Sequence, residues 1–425
     1  MGVNWCKTGA NISPAIPTFP LKRDGACNFK LKIFMLIALQ KELDQRKIDG
    51  LLRQRRLLDS PQAEHIVANG KPYLSFCSND YLGLANHPAL ITAMQAATGD
   101  SGVGSGASNL ITGHHRYHDE LEKKLAKFVN MPAALLFSTG YMANIGVLGA
   151  LAGRGDAIFA DKLNHACLND GGYYSLAEFK RFAHNDVVAL GKLLKSSSAK
   201  HKLIAVDAVF SMDGDIAPIP AYLRLCEQYD AYLYVDDAHG FGVLGEHGQG
   251  SLSHFQITEN MPKSPRIIYM ATLGKAAGVA GAFVAGQQVV IDYLIQNARS
   301  YVYSTPAPPA LSATLLASLI LIEKGDDLRA HLQHLIATLK ANLQLKKWHL
   351  MPSHTAVQPL IIGSNFAAVE LSEHLQKLGF LVPAIRPPTV PINTARLRIS
   401  LSAAHSENDV MQLAKAINNA ESELI

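Results

Sequence analysis

The stretch "IIYMATLGKAAGVAGAFVAG", Ile267 to Gly286, carries a single charged residue, Lys275. Around it stand only small and apolar side chains, with Thr272 three residues before. A lysine with a purely structural role extends its stem and keeps its head in water. The sharper reading is that this amine meets a partner other than water. The opening "RIIYMAT" (266–272) is a short apolar run of strand type, so Lys275 follows a strand end.

Working outward, similar runs recur: "AALLFS" (133–138), "AIFA" (157–160), "KLIAVDAVF" (202–210) and "AYLYVDDA" (231–238). Helical stretches such as "GYMANIGVLGALAG" and "IPAYLRLCEQYD" separate most of them. Strands alternating with helices predict an α/β fold with a mostly parallel sheet covered on both faces. In such sheets ligands gather at the carboxyl ends of the strands. Several of these ends carry polar residues. "VFSMDGD" places Ser211, "LYVDDAHGFG" places Asp236 and His239, and "YMATLGK" places Thr272 and Lys275. "FSTGYMAN" ends a strand and opens a helix at Gly140 and Tyr141. A helix N-terminus there presents unpaired backbone N–H groups, a cradle for a phosphate.

Taken singly, Asp236 reads as a helix cap, His239 as a buried imidazole, and Ser211 and Thr272 as turn residues. Together they describe one chemistry. A lysine amine forms a Schiff base with an aldehyde when a dry pocket lets it lose its proton. A carboxylate beside a pyridine nitrogen keeps that nitrogen protonated, so the ring draws electrons from a carbanion. Lysine on the aldehyde and aspartate on the ring nitrogen are what proteins contribute to pyridoxal 5'-phosphate chemistry.

The bulk numbers exclude other classes. The chain has 425 residues, 48% hydrophobic and 17% charged, with net charge +4, the profile of a compact soluble protein. That balance gives nucleic acid no footing, and "RQRRLL" (53–58) reads as the solvated face of a helix. Five cysteines, Cys6, Cys27, Cys77, Cys167 and Cys226, are scattered with no C-x-x-C pair. They suit free thiols in a reducing cytoplasm. "HHRYHDELE" (114–122) lacks H-E-x-x-H, so no metal site is expected. "GVGSGA" (102–107) fits G-x-G-x-x-A, but no strand precedes it, which argues against a dinucleotide site. The uncharged stretch 300–322 is long enough to span a bilayer, yet Pro306, Pro308 and Pro309 interrupt it, and no membrane span is expected.

Residues 1–34 show no clear amphipathic pattern and are expected to be an extension outside the fold. A helix from Met35 to Leu58 and an extended arm fill 35–80. A large domain is expected over 81–310. A smaller C-terminal α/β domain is expected over 311–425, its strands "VQPLIIG" and "ARLRISLSA" alternating with helices.

At these residues the chain resembles the α-oxoamine synthases, pyridoxal phosphate enzymes of fold type I, from about residue 36 to the C-terminus. "SNDYLGL", "GSGAS", "NHACLNDG", "RFAHNDV", "FSMDGD", "VDDAHGFGVLGEHGQG" and "TLGKAAGVAGA" occur in the family's order. "IRPPTVP" followed by "TARLR", together with "RFAHNDV", is similar to the pimeloyl-using branch. The resemblance implies decarboxylative condensation of L-alanine with a pimeloyl thioester, carried by coenzyme A or acyl carrier protein. A glycine-using, acetyl-transferring member is the alternative, and a non-catalytic synthase subunit the remote one.

By position, the resemblance makes Lys275 the Schiff-base lysine and Asp236 the partner of the ring nitrogen. It places His239 and Ser211 at the ring oxygen, and His165 on the ring face near the acyl carbonyl. Gly140, Tyr141 and Thr272 fall at the phosphate. Arg398 with Asn79 falls at the amino-acid carboxylate, and Arg53 and Thr389 at the acyl substrate. A homodimer is implied, with Ser304 and Thr305 reaching the neighbour's phosphate. Ala107, Asp207, Ala208 and Ala280 depart from residues usual in the family; they bear on fine positioning and not on the reaction class.

Overall fold

The computed structural model describes residues 26–257 and 264–424, in two compact units, Met1–Arg55 and Arg56–Ile425. Of the expected extension, residues 1–25 lie outside the described residues.

In the first unit one helix runs from Ala26 to Ile48, with Glu42 and Arg46 paired across one turn. The helix expected to continue to Leu58 stops here. Gly50 adopts φ +66°, the left-handed conformation that ends helices, and residues 51–57 are irregular. The basic run from Arg53 is therefore not a helical face.

The second unit is built on a seven-stranded sheet. Its order is Ala133–Phe137, Ala282–Gly286, Ile267–Thr272, Tyr232–Asp236, Lys202–Asp207, Ala157–Asp161, Glu178–Phe182. The last five strands are parallel, while Ala282–Gly286 runs antiparallel to both its neighbours. Two of these strands escape the sequence reading for different reasons. Ala282–Gly286 sits in the same apolar stretch as the Lys275 loop, and apolarity alone does not reveal the reversal. Glu178–Phe182 ("EFKRF") is a half-exposed edge strand, and charge suits an edge that must not pair further.

Alternate residues of each strand point to opposite faces, and both faces are buried. Leu233, Val235 and Tyr269 join a core with Leu121, Leu125 and Tyr222 from the helices on one side. Tyr234, Ile268 and Met270 join Val147, Leu148, Leu168 and Leu294 on the other. This two-sided covering is why the strands read as continuous apolar runs.

Beyond the sheet, the long helical region is two helices, Pro309–Glu323 and Asp326–Asn342, broken at Gly325. Pro306 and Pro308 precede the first of them and Pro309 opens it, and no helix among the described residues is long and apolar enough to cross a membrane. A four-stranded sheet follows, in which Val357–Gly363 and Ala395–Ser400 are the central pair. A third sheet pairs Phe380–Leu381 with Lys71–Ser75, which lets the polar turn after Ser75 reach the carboxyl edge of the main sheet. "GVGSGA" is a loop after the helix Pro88–Ser101, with no strand before it.

Candidate active site

Four parallel strands of the main sheet end in a polar residue at the same edge: Asp161, Asp207, Asp236 and Thr272. Lys275 stands on the loop leaving Thr272, in a turn closed by the Gly278 N–H donating to the Lys275 carbonyl at 2.8 Å. Its Nζ is 2.8 Å from His239 Nε2. Burial pulls the amine down from 10.5 to about 8, against the opposing charges of Asp236 and Asp207. His239 is buried and held well below the ordinary imidazole value by desolvation, with Lys275 and Arg398 adding to the effect. It is therefore neutral, and its Nε2 lone pair faces the lysine.

The other nitrogen, His239 Nδ1, is 2.6 Å from the Tyr81 hydroxyl. That hydroxyl donates to Asn79 Oδ1 at 3.1 Å, and Arg398 reaches both groups, at 3.1 Å to Asn79 and 3.4 Å to Tyr81. Arg398 also donates to the Ser211 carbonyl at 2.5 Å and to Ser400 Oγ at 2.7 Å. One buried network thus joins Lys275, His239, Tyr81, Asn79, Arg398 and the Ser211 loop. That loop is braced by His184, whose nitrogens sit 3.1 Å from Asp161 and 2.8 Å from Asp215, and by the Arg396–Asp213 ion pair.

Asp236 is buried, and its carboxylate accepts from Asn144 Nδ2 at 2.7 Å and from the Ala238 N–H at 3.0 Å. Burial raises its pKa despite these bonds, and among the described residues no cation lies within ion-pair distance. A buried carboxylate in that position fits a cationic ring nitrogen, which would supply the missing counter-charge. The phosphate end fits as well. Thr139 caps the helix Gly140–Leu151 by accepting from Met142 N–H at 3.1 Å, leaving the first N–H groups of that turn for a ligand. A Cβ built on Gly140 would lie 3.9 Å from Thr272 Oγ1, so the helix start and Thr272 converge. Tyr141 is exposed, its hydroxyl donating to Asp170 at 2.5 Å.

His165 caps the helix Ala166–Tyr174, accepting from Cys167 N–H at 3.3 Å, and burial of the ring holds it below its ordinary value. Ser304 and Thr305 lie beside the strand end that leads to Gly140, the Ser138 hydroxyl donating to the Thr305 carbonyl at 3.5 Å. Thr389 is exposed in the turn 386–394, and no hydrogen bond among the described residues joins it to the Lys275 cluster. Arg53 is exposed in the first unit. Tyr81 and Asn144 were not singled out by the sequence reading, although both fall inside motifs it used. Their partners lie 158 and 92 residues away, so nothing local marks them.

The profile of the family described as "Aminotransferase class I and II" matches residues 71–417. The 8-amino-7-oxononanoate synthase of Methylobacillus flagellatus is 57% identical over 387 residues, covering 91% of this chain and 96% of the relative. This chain is a member of the 8-amino-7-oxononanoate synthase family. Among solved structures, the 8-amino-7-oxononanoate synthase from Francisella tularensis is 30% identical with TM-score 0.69, covering 83% of this chain and 99% of that one. A lysine-to-alanine variant of serine palmitoyltransferase from S. paucimobilis, with a bound PLP–myriocin aldimine, is 26% identical with TM-score 0.84, covering 91% and 97%. The fold of the synthase family in this chain is thus PLP fold type I, α/β, with a mixed seven-stranded sheet flanked by helices.

Proposed function

We propose that this chain condenses L-alanine with a pimeloyl thioester, releasing carbon dioxide and the free thiol and forming 8-amino-7-oxononanoate for biotin biosynthesis. The observation that carries the reading is the Lys275 amine, 2.8 Å from a neutral His239 and depressed to about 8, on the strand-end edge that also holds buried Asp236. Pyridoxal 5'-phosphate, when bound, supplies an aldehyde for the lysine amine and a cationic ring that draws electrons from the alanine α-carbon.

The family resemblance, with the geometry around Lys275 in support, suggests the following roles for the chain's own residues. Lys275 holds its proton weakly enough to act as the base at the alanine Cα near neutral pH. Asp236, oriented by Asn144, faces the ring nitrogen. His239 and Ser211 serve the ring oxygen. Gly140, Tyr141 and Thr272 bind phosphate, completed in a homodimer by Ser304 and Thr305 of the other copy. Arg398 and Asn79 bind the alanine carboxylate, while Arg53 and Thr389 contact the acyl substrate. His165 donates to the oxygen of the thioester carbonyl as negative charge develops there. The thiol carrier is coenzyme A or acyl carrier protein. Free Cys77, Cys167 and Cys226 fit a reducing cytoplasm.

Product mass tests this reading. Purified protein given alanine and pimeloyl-CoA yields 8-amino-7-oxononanoate. Condensation of glycine with acetyl-CoA instead would identify the acetyl-transferring alternative, which uses the same lysine and aspartate. In Asp236→Ala, exchange of the alanine α-proton with solvent should fall at least about a hundredfold; an unchanged rate removes Asp236 from its role.

A further inference from the structure

Asn144 is fully buried, and each of its polar atoms has a partner. Oδ1 accepts from the Tyr234 hydroxyl at 2.7 Å. Nδ2 donates to Asp236 Oδ2 at 2.7 Å and to Cys167 Sγ at 2.9 Å. The amide cannot be turned over, because its oxygen would then face a carboxylate. Both N–H groups are therefore committed, one to Asp236 and one to a sulfur lone pair.

That commitment fixes the thiol. With Asn144 donating into the sulfur, the S–H is free to point at His165 Nδ1, 2.7 Å from Sγ. Burial pushes the Cys167 thiol well above its ordinary value, so the proton stays on. The Cys167 backbone N–H independently donates to the same His165 Nδ1 at 3.3 Å. Two donors aimed at one ring nitrogen require that nitrogen to be bare.

We infer that Cys167 and Asn144 are positioning residues that fix the tautomer of His165, leaving Nδ1 as the acceptor and Nε2 as the N–H. The same Asn144 amide orients Asp236, so one buried side chain aligns both the group facing the ring nitrogen and the group that donates to the acyl carbonyl. The kinetic consequence rests on the reading of His165 given above; the tautomer does not.

Nitrogen NMR of histidine-labelled protein tests it, with the His165 resonances identified by their loss in His165→Gln. Measured with and without cofactor, native protein should show a pyridine-type Nδ1 and a protonated Nε2. A native His165 carrying its proton on Nδ1 overturns the inference. In Cys167→Ala only the backbone donor remains, so the ring should show a mixed or averaged tautomer signal and kcat should fall about fivefold, the effect of one hydrogen bond, with KM for alanine unchanged. Cys167→Ser keeps a donor and should restore both the spectrum and kcat. A Cys167→Ala spectrum identical to that of native protein overturns the role of the thiol. If the tautomer shifts as expected while kcat does not move, the positioning stands and the assignment of His165 to the acyl carbonyl fails.

Discussion

Lys275 and Arg398 are the two ends of one buried hydrogen-bonded chain: Lys275 Nζ lies 2.8 Å from His239, His239 lies 2.6 Å from Tyr81, and Tyr81 lies 3.4 Å from the Arg398 guanidinium. The amine and the guanidinium come from different sheets, and the polar turn after Lys71–Ser75 joins them through Tyr81. Neither end is adjusted alone, since moving Tyr81 disturbs both.

The Lys275 amine is expected to titrate near 8 and not near 10.5, chiefly because burial penalises the ammonium form. Between those two values the unfolded chain binds the extra proton, so this residue's contribution to stability rises with pH across the window. The stability of cofactor-free protein relative to its Lys275→Met variant should therefore improve from about pH 8 upward. An amine-directed reagent should label Lys275 with a midpoint near 8; a midpoint near 10.5 would show the amine to be solvated.

Replacing Arg398 by lysine should raise KM for alanine about ten- to a hundredfold, the worth of a charge-assisted hydrogen bond, with little change for the thioester. A lysine keeps the charge but cannot hold Ser211, Ser400, Asn79 and Tyr81 together as the planar guanidinium does. Because Arg398 is buried, Asn79→Ala provides a gentler companion variant, expected to shift the same parameter by less. Steady-state kinetics against both substrates checks the pattern, and a rise confined to the thioester KM contradicts it.

His184 is raised to about 10: burial works against its charge, but the hydrogen bonds and charges of Asp161 and Asp215 outweigh that penalty. A folded pKa above the unfolded 6.5 gives stability that is full below about 6.5 and is lost as pH rises through about 10. His184→Gln should thus lose about 2 kcal/mol near pH 6, and the difference should shrink toward zero above pH 10. Urea unfolding at the two pH values measures it; a pH-independent difference would mean that the imidazolium is not what braces the Ser211 loop.

The strand ends were legible because a doubly covered sheet forces apolar runs, and Asp236, Thr272 and Lys275 interrupt those runs where they stop. What escaped is what depends on distant partners. Tyr81 and Asn144 look like ordinary residues of a turn and a helix until the fold brings His239 and Asp236 against them. The reversal at Ala282–Gly286 escaped for a related reason, since periodicity reports burial and not chain direction. The stop of the first helix at Gly50 was visible in the residue type, but the apolar spacing beyond it favoured continuation.

The last prediction concerns the turn that holds the lysine. Gly278 sits at φ +70°, a conformation costly for any residue with a Cβ. A Cβ there would also lie 2.7 Å from the Ala85 nitrogen and from the Leu84 carbonyl carbon, backbone atoms that cannot swing aside. Those atoms are pinned in turn, because Asp80 accepts from the Leu84 and Ala85 N–H groups, each at 2.9 Å. Gly278→Ala should therefore cost at least about 2 kcal/mol, combining backbone strain with a displaced contact, and should shift the loop carrying Lys275. Gly274 supplies the comparison: it has no positive φ, and the nearest atoms to a Cβ there are 3.8 Å away. Gly274→Ala should leave thermal stability within about 0.5 kcal/mol of native, as an unstrained substitution does. Equal losses in the two variants would show that the loop tolerates no side chain anywhere, and the specific conflict between Gly278 and the 84–85 backbone would then not be what positions Lys275.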